Sequence, residues 1–181
     1  MKSPSETVSR RAWMGGVGVA AALAGAGAAW WRWRVDEVAS PAVSAFWQQS
    51  FVQPAGGELR VADWRGQPLL LNFWATWCPP CVDELPMIDA FWRQHVANGL
   101  QVLALAIDQP SAVRRFLERQ PLSFPVGLAG LEGTALARSL GNVNGGLPFS
   151  VFFNKDGGIW RQKLGQLQPQ DLQDWRRAVT G

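Results

Sequence analysis

The sequence predicts an α/β domain, a mixed central sheet flanked by helices, preceded by an N-terminal transmembrane or signal helix. Three observations carry this. Continuous apolar runs, "LLLNFWA" (69–75) and "LQVLALAID" (100–108), have the length of strands buried on both faces. Stretches of helical periodicity alternate with such runs, as in a sheet covered on both sides. At the basic N-terminus, residues 12–31 form 20 positions without a charge, enough to cross a bilayer as a helix.

The N-terminal segment spans 1–34. Lys2, Arg10, Arg11, Arg32 and Arg34 against Glu6 give it a charge of +4, whereas the other 147 residues carry 12 basic and 13 acidic side chains, a balance of −1. The net +3 of the chain is thus a targeting charge rather than a phosphate-binding face, and no nucleic-acid partner is expected. "SRRAWM" (9–14) resembles a twin-arginine export signal, with Gly15 where a Lys or polar residue often stands. Trp30, Trp31 and Trp33 occupy the place of an aromatic belt. The length of the apolar stretch favours an uncleaved anchor. Ala24-Gly25-Ala26 and Ala26-Gly27-Ala28 keep a cleaved signal peptide open, while the glycines of this stretch argue against a buried soluble helix. Lys2, Arg10 and Arg11 favour a cytoplasmic N-terminus, which would place the rest of the chain in the periplasm or at the cell exterior.

Residues 35–46 read as a linker containing Ser40 and Pro41, and 47–181 as the folded domain. "LRVADW" (59–64) is a weak strand or turn, broken by Gly66-Gln67-Pro68 before the buried strand 69–75. A helix is predicted from Pro79 to about Ala97, with apolar residues at 81, 85, 88, 92 and 96 and Asn98-Gly99 as its stop. The strand 100–108 follows, then an amphipathic helix over 111–120, a short strand in "FPVGLA" and a helix over 132–141 stopped by Gly141. "FSVFFN" and "GIWRQKLG" flank Lys155-Asp156-Gly157-Gly158, a strong hairpin signal, and a helix over 169–179 closes the chain. Tyrosine is absent and tryptophan numbers 11; core and surface anchoring fit these indoles better than ligand stacking.

The only two cysteines, Cys78 and Cys81, lie in "FWATWCPPC" (73–81). A structural staple is disfavoured, because closing so short a loop stabilises by about 2 kcal/mol against about 3 for fifteen residues. Zinc wants four ligands, and the one histidine, His95, lies far down the predicted helix. A redox couple has positive support. Cys78 falls where strand passes into helix, so its sulfur meets unpaired N–H groups and the positive end of the helix dipole, both favouring thiolate. Pro79 and Pro80 fit the first helical turn, where a missing N–H costs nothing. Cys81 lies one turn on, within reach of a mixed disulfide at Cys78. Glu84 shares the helix face of Cys81, whereas Asn72, six before Cys78, cannot titrate. Buried there, a carboxyl would have a raised pKa and could exchange a proton with Cys81. Spacing alone leaves this role level with that of an ordinary helix-start charge.

"RGQPLLLNFWATWCPPCVDELP" (65–86) and "GLPFSVFFNKDGGI" (146–159) together resemble the TlpA/ResA/CcmG group of thioredoxin-like thiol–disulfide oxidoreductases, within the redoxin (AhpC/TSA) superfamily. The resemblance runs from about residue 47 to 180. Ordinary thioredoxins are less similar, having Gly-Pro between the cysteines and Asp where Asn72 stands. The resemblance implies a thioredoxin-like fold, an acid/base role for Glu84 and a cis-proline at Pro148. It implies that Leu147, Trp77, Pro79 and Pro80 help to bind a substrate strand, and that Pro86 kinks the helix rather than ending it. Trp74 would line the site or sit in the core. "GNVNGGLP" is richer in glycine than many relatives, which points to a looser loop before Pro148.

The leading expectation is a protein-disulfide reductase of the bacterial periplasm, tethered by 12–31. Cys78 attacks and Cys81 resolves, and no cofactor is needed beyond the redox-active disulfide. The resemblance implies apocytochrome c or copper-site proteins as disulfide-containing clients and a membrane electron donor of the DsbD/CcdA type. A disulfide oxidase or isomerase is the alternative. A peroxidase lacks its expected surroundings around Cys78, and a copper-binding chaperone would want more donors than 2 Cys, 3 Met and 1 His.

Overall fold

A computed structural model describes residues 40–180. The expected N-terminal transmembrane or signal helix (12–31) and the first part of the expected linker lie outside the described residues. Among the described residues, no helix is long and apolar enough to cross a membrane. In chain order the elements are α1 (Pro41–Phe46), β1 (Ser50–Val52), β2 (Glu58–Arg60), β3 (Leu69–Trp74), α2 (Pro79–His95), β4 (Gln101–Ala106), α3 (Pro110–Arg119), β5 (Val126–Leu128), α4 (Gly133–Ser139), β6 (Phe149–Phe153), β7 (Ile159–Leu164) and α5 (Pro169–Thr180).

The seven strands form one sheet in the order β2-β1-β5-β4-β3-β6-β7. β3, β4 and β5 run parallel; every other pairing is antiparallel, so the sheet is mixed. All six residues of β3 are buried, as its unbroken apolar pattern requires of a central strand covered on both faces. Side chains of a strand alternate between faces. Leu69, Leu71 and Phe73 join Leu103, Leu105, Phe149, Val151 and Phe153 in one core, closed by residues of α1 and α4. Leu70 and Trp74 join Val102, Ala104, Ala106 and Phe152 in the other, closed by α2, α3 and α5. Asn72 lies between Leu70 and Trp74 and therefore enters this second core, the one that holds both cysteines.

Two elements, α1 and β1, depart from the sequence reading; β1, with no strand expected there, pairs antiparallel with β2 and β5. Pro41–Phe46, expected as linker, is a helix capped by Ser40, whose Oγ accepts from Val43 N–H at 3.3 Å. Its Val43 and Phe46 are buried three residues apart, one face of a short helix. Trp47 follows and donates from Nε1 to the Gly157 carbonyl (2.8 Å), tying α1 to the β6–β7 hairpin. Gly157 adopts φ +84°, and a Cβ there would lie 3.2 Å from Trp47 Nε1, so both turn and contact call for glycine. The stretch 59–64, read as a weak strand or turn, divides between the two: Glu58–Arg60 is extended and Val61–Trp64 turn as a 3₁₀ helix.

Candidate active site

The site is built at the end of β3. Beyond Trp74 the chain turns, and Asp108, just after β4, holds the turn: its Oδ2 accepts from Thr76 N–H at 2.8 Å and from Thr76 Oγ1 at 2.6 Å. Cys78 then stands as the N-cap of α2, with Pro79 and Pro80 in the first turn. The Cys78 carbonyl accepts from the N–H groups of Cys81 and Val82, both at 3.1 Å, which starts the helix at once. Cys78 and Cys81 form a disulfide with S–S 2.08 Å and Cα–Cα 5.3 Å. Both cysteines are buried, Cys81 completely, while Trp77 beside them is 66% exposed. Trp74 is fully buried, a core residue. Helix α2 continues through Pro86, which therefore does not end it; Pro86 has no N–H, so the Val82 carbonyl lacks its usual donor.

The Leu147–Pro148 peptide bond is cis. The β3–β6 register pairs Phe73 with Phe149, so one step further along these antiparallel strands Trp74 comes opposite Pro148. The residues leaving β3 and those entering β6 thus meet at one end of the sheet, and Leu147 packs against the cluster that contains Cys78 and Cys81. The loop before Pro148, expected to be looser, is tied by Asn142, whose Nδ2 donates to the Gly146 carbonyl (2.8 Å). Leu164 crosses this loop so closely that a Cβ on Gly146 would lie 3.1 Å from its Cδ1, and Gly165 N–H donates to the Pro148 carbonyl (2.8 Å).

Beneath the disulfide lies Glu84, one helical turn beyond Cys81 and 1% exposed. Its Oε1 accepts from Asn72 Nδ2 (2.7 Å) and its Oε2 from Leu167 N–H (2.5 Å). Asn72 Nδ2 also donates to Ser150 Oγ at 3.0 Å, linking β3, β6 and α2. Burial pushes the Glu84 carboxyl up from an ordinary 4.5 to about 7, against the opposing pull of the Leu167 and Asn72 hydrogen bonds and of Lys163. Lys163 is ion-paired with Asp171 at the start of α5, and Asp171 also accepts from Gln168 N–H at 2.7 Å. Burial works to raise the Asp171 carboxyl, but Lys163 and the Gln168 N–H together bring it below its ordinary range.

The sequence reading did not single out Thr76, Asp108, Ser150, Leu167, Lys163 or Asp171. Ser150, one polar residue inside the apolar run "FSVFFN", is the one with a visible signal, and it faces Asn72 in the register. His95 lies at the far end of α2 against the Phe91 ring, away from the cysteines. Among the described residues, no three His, Cys, Asp or Glu side chains gather as metal ligands.

The AhpC/TSA family model matches residues 42–162. The thiol-disulfide oxidoreductase ResA of Bacillus anthracis is 30% identical over 126 residues, 69% of this chain and 70% of that protein. ResA of Geobacillus kaustophilus is 30% identical over 119 residues, covering 65% and 66% respectively. Among solved structures, a thiol:disulfide interchange protein of the thioredoxin family from Chlorobium tepidum matches with TM-score 0.64 at 25% identity, covering 74% of this chain and 93% of that one. StoA of Bacillus subtilis shares the fold, with TM-score 0.57 at 24% identity over 71% of this chain and 97% of that one. With its disulfide at a helix N-terminus beside a cis-proline loop, the chain belongs to the AhpC/TSA family as a thioredoxin-fold thiol-disulfide oxidoreductase of the TlpA/ResA/CcmG kind.

Proposed function

We propose that the chain is an exported protein-disulfide reductase, held at the membrane by residues 12–31 and acting in the bacterial periplasm. The observation that carries this reading is the buried Glu84 carboxyl one turn behind the buried Cys81 of a CPPC motif whose two prolines are exposed. Such a carboxyl suits the step in which a resolving thiol must lose its proton. The Cys78 thiolate attacks one sulfur of a client disulfide; a Cys78–client bond forms, the client S–S bond breaks, and the departing client thiolate takes a proton from water. Cys81 passes its thiol proton to the Glu84 carboxylate and attacks the Cys78 sulfur. The Cys78–Cys81 bond forms, the second client thiolate leaves, and the proton on Glu84 is transferred to that thiolate. Two electrons pass from the dithiol to the client.

Trp77, Pro79 and Pro80 form one wall for the client strand, and Leu147 and Pro148 offer backbone opposite them. Disulfides of apocytochrome c or of copper-site proteins are the clients, and a membrane donor of the DsbD/CcdA type restores the dithiol. The uncharged stretch 12–31 and the arginine pair before it support export and tethering. The reduction potential of the Cys78–Cys81 couple tests the direction: a value near −270 mV, like thioredoxin's, is expected, and one near −120 mV, like DsbA's, would make the protein an oxidant instead. Cys81→Ser should accumulate mixed disulfides with clients, and Cys78→Ser should accumulate none.

A further inference from the structure

The hydrogen bonds around Glu84 raise a problem when the carboxyl is protonated. Its Oε2 accepts from a backbone N–H, that of Leu167, and a backbone N–H can only donate. The acid proton thus finds no acceptor in that group, which leaves the Oε1 side to receive it. There it meets Asn72 Nδ2, a second donor, at 2.7 Å. All three side chains are sealed from water: Asn72 and Ser150 are 0% exposed and Glu84 1%. Two donors facing each other in such a place leave both unsatisfied, at a cost that buried polar groups rarely bear.

One group in the cluster can convert. A primary amide carries an acceptor and a donor on opposite sides, and a half-turn about its last bond exchanges them. Among the described residues, Asn72 Oδ1 is buried without a partner. Turned inward, it would accept from the Glu84 hydroxyl on one side and from Ser150 Oγ–H on the other; the half-turn exchanges one unpaired amide atom, Oδ1, for the other, Nδ2, and relieves the clash of two donors at Glu84 Oε1. Ser150 suits this role because a hydroxyl accepts from Nδ2 in the first arrangement and donates to Oδ1 in the second. We propose that Asn72 and Ser150 form a reversible cradle, the amide turning over each time Glu84 gains or loses its proton, so that Glu84 finds two hydrogen bonds in either state.

Asn72 is thereby a positioning residue that acts through Glu84. The neighbouring charges do not offer an alternative acceptor. Lys163 and Asp171 face the carboxyl from β7 and α5 but are bonded to each other, and β3 and β6 present only Asn72 and Ser150. The inference rests on the acid/base role of Glu84 given above.

The test is nuclear magnetic resonance on the full-length oxidised chain, in which the cysteines do not titrate. The Glu84 side-chain carboxyl carbon and the Asn72 Nδ2 protons are followed from pH 5 to 9. Above the Glu84 midpoint, the Asn72 Nδ2 protons should show nuclear Overhauser contacts to Ser150 and Glu84; below it those contacts should vanish, with the same midpoint. Contacts that persist unchanged at low pH would overturn the cradle. The underlying role fails separately: it is overturned if Glu84→Gln leaves the pH profile of client reduction unchanged, whatever the Asn72 resonances do.

Discussion

Replacing Glu84 by Gln should make the protein more stable at alkaline pH and leave it nearly unchanged in acid. The magnitude follows from the burial of the carboxyl. A move from an ordinary 4.5 to about 7 amounts to about 3 kcal/mol at 1.36 kcal/mol per pK unit. The sign is set by proton binding. Between these two values the folded state holds a proton that the unfolded chain has released, so raising the pH pulls the equilibrium toward unfolding. The stabilising contribution is complete below about 4.5 and is lost as pH rises through about 7. Glutamine removes this dependence without emptying the site: its oxygen can accept from Leu167 N–H and its amide can donate to Asn72 Oδ1. Urea denaturation of the oxidised protein at pH 4.5, 6, 7, 8 and 9, differenced against Glu84→Gln, isolates this group from all other titrations. The variant should gain on the wild type by up to about 3 kcal/mol by pH 9. A difference that stays flat with pH, or grows toward acid, would refute the claim that burial dominates the environment of Glu84.

Other substitutions test the surroundings. Lys163→Met removes the cation that favours the Glu84 carboxylate and leaves Asp171 as an unbalanced like charge; the Glu84 midpoint should rise further in a carboxyl-carbon titration, and that of Asp171 should rise with it. Trp47→Phe removes the donor to the Gly157 carbonyl and should cost at least about 1–3 kcal/mol in urea unfolding, while the reduction potential stays unchanged because Trp47 packs on the opposite face of the sheet from the cysteines. Leu85→Ala, at a fully buried position beside the site on α2, should cost about 2–5 kcal/mol by the same assay.

Much of this was legible in the chain because burial leaves a regular mark. The runs at 69–75 and 100–108 have no polar face, and in the structure they are the two central parallel strands. The helix starts were marked by Pro79 and Pro169, and the hairpin by Asp156-Gly157. What escaped notice was either short or distant. Ser50–Val52 is three residues long, too brief for a period, and becomes a strand only because β2 and β5 pair with it. Pro41–Phe46 is a single helical turn and a half whose burial depends on the ring of Phe153, over a hundred residues away. The partners of Glu84 come from β3 and the loop before α5, and no local pattern announces that Leu167 will supply a backbone N–H to residue 84.

Asn72 shows why the residue type at that place matters. An Asp there would set a second carboxyl within hydrogen-bonding distance of the first, and two buried like charges so close cannot both ionise. One proton would be shared, and the pair would titrate as a unit rather than as one group poised near neutrality. An apolar residue would avoid the repulsion but leave the Glu84 Oε1 side without a partner in either state. The amide is the neutral choice that can serve both the carboxylate and the acid. The fold thus keeps one ionisable group below the disulfide, at a stability cost of about 3 kcal/mol above neutral pH, where an apolar core would carry none. Such a cost fits the proposed step, in which the Cys81 thiol one turn away gives up its proton inside the protein and the carboxyl passes it on to the departing client thiolate.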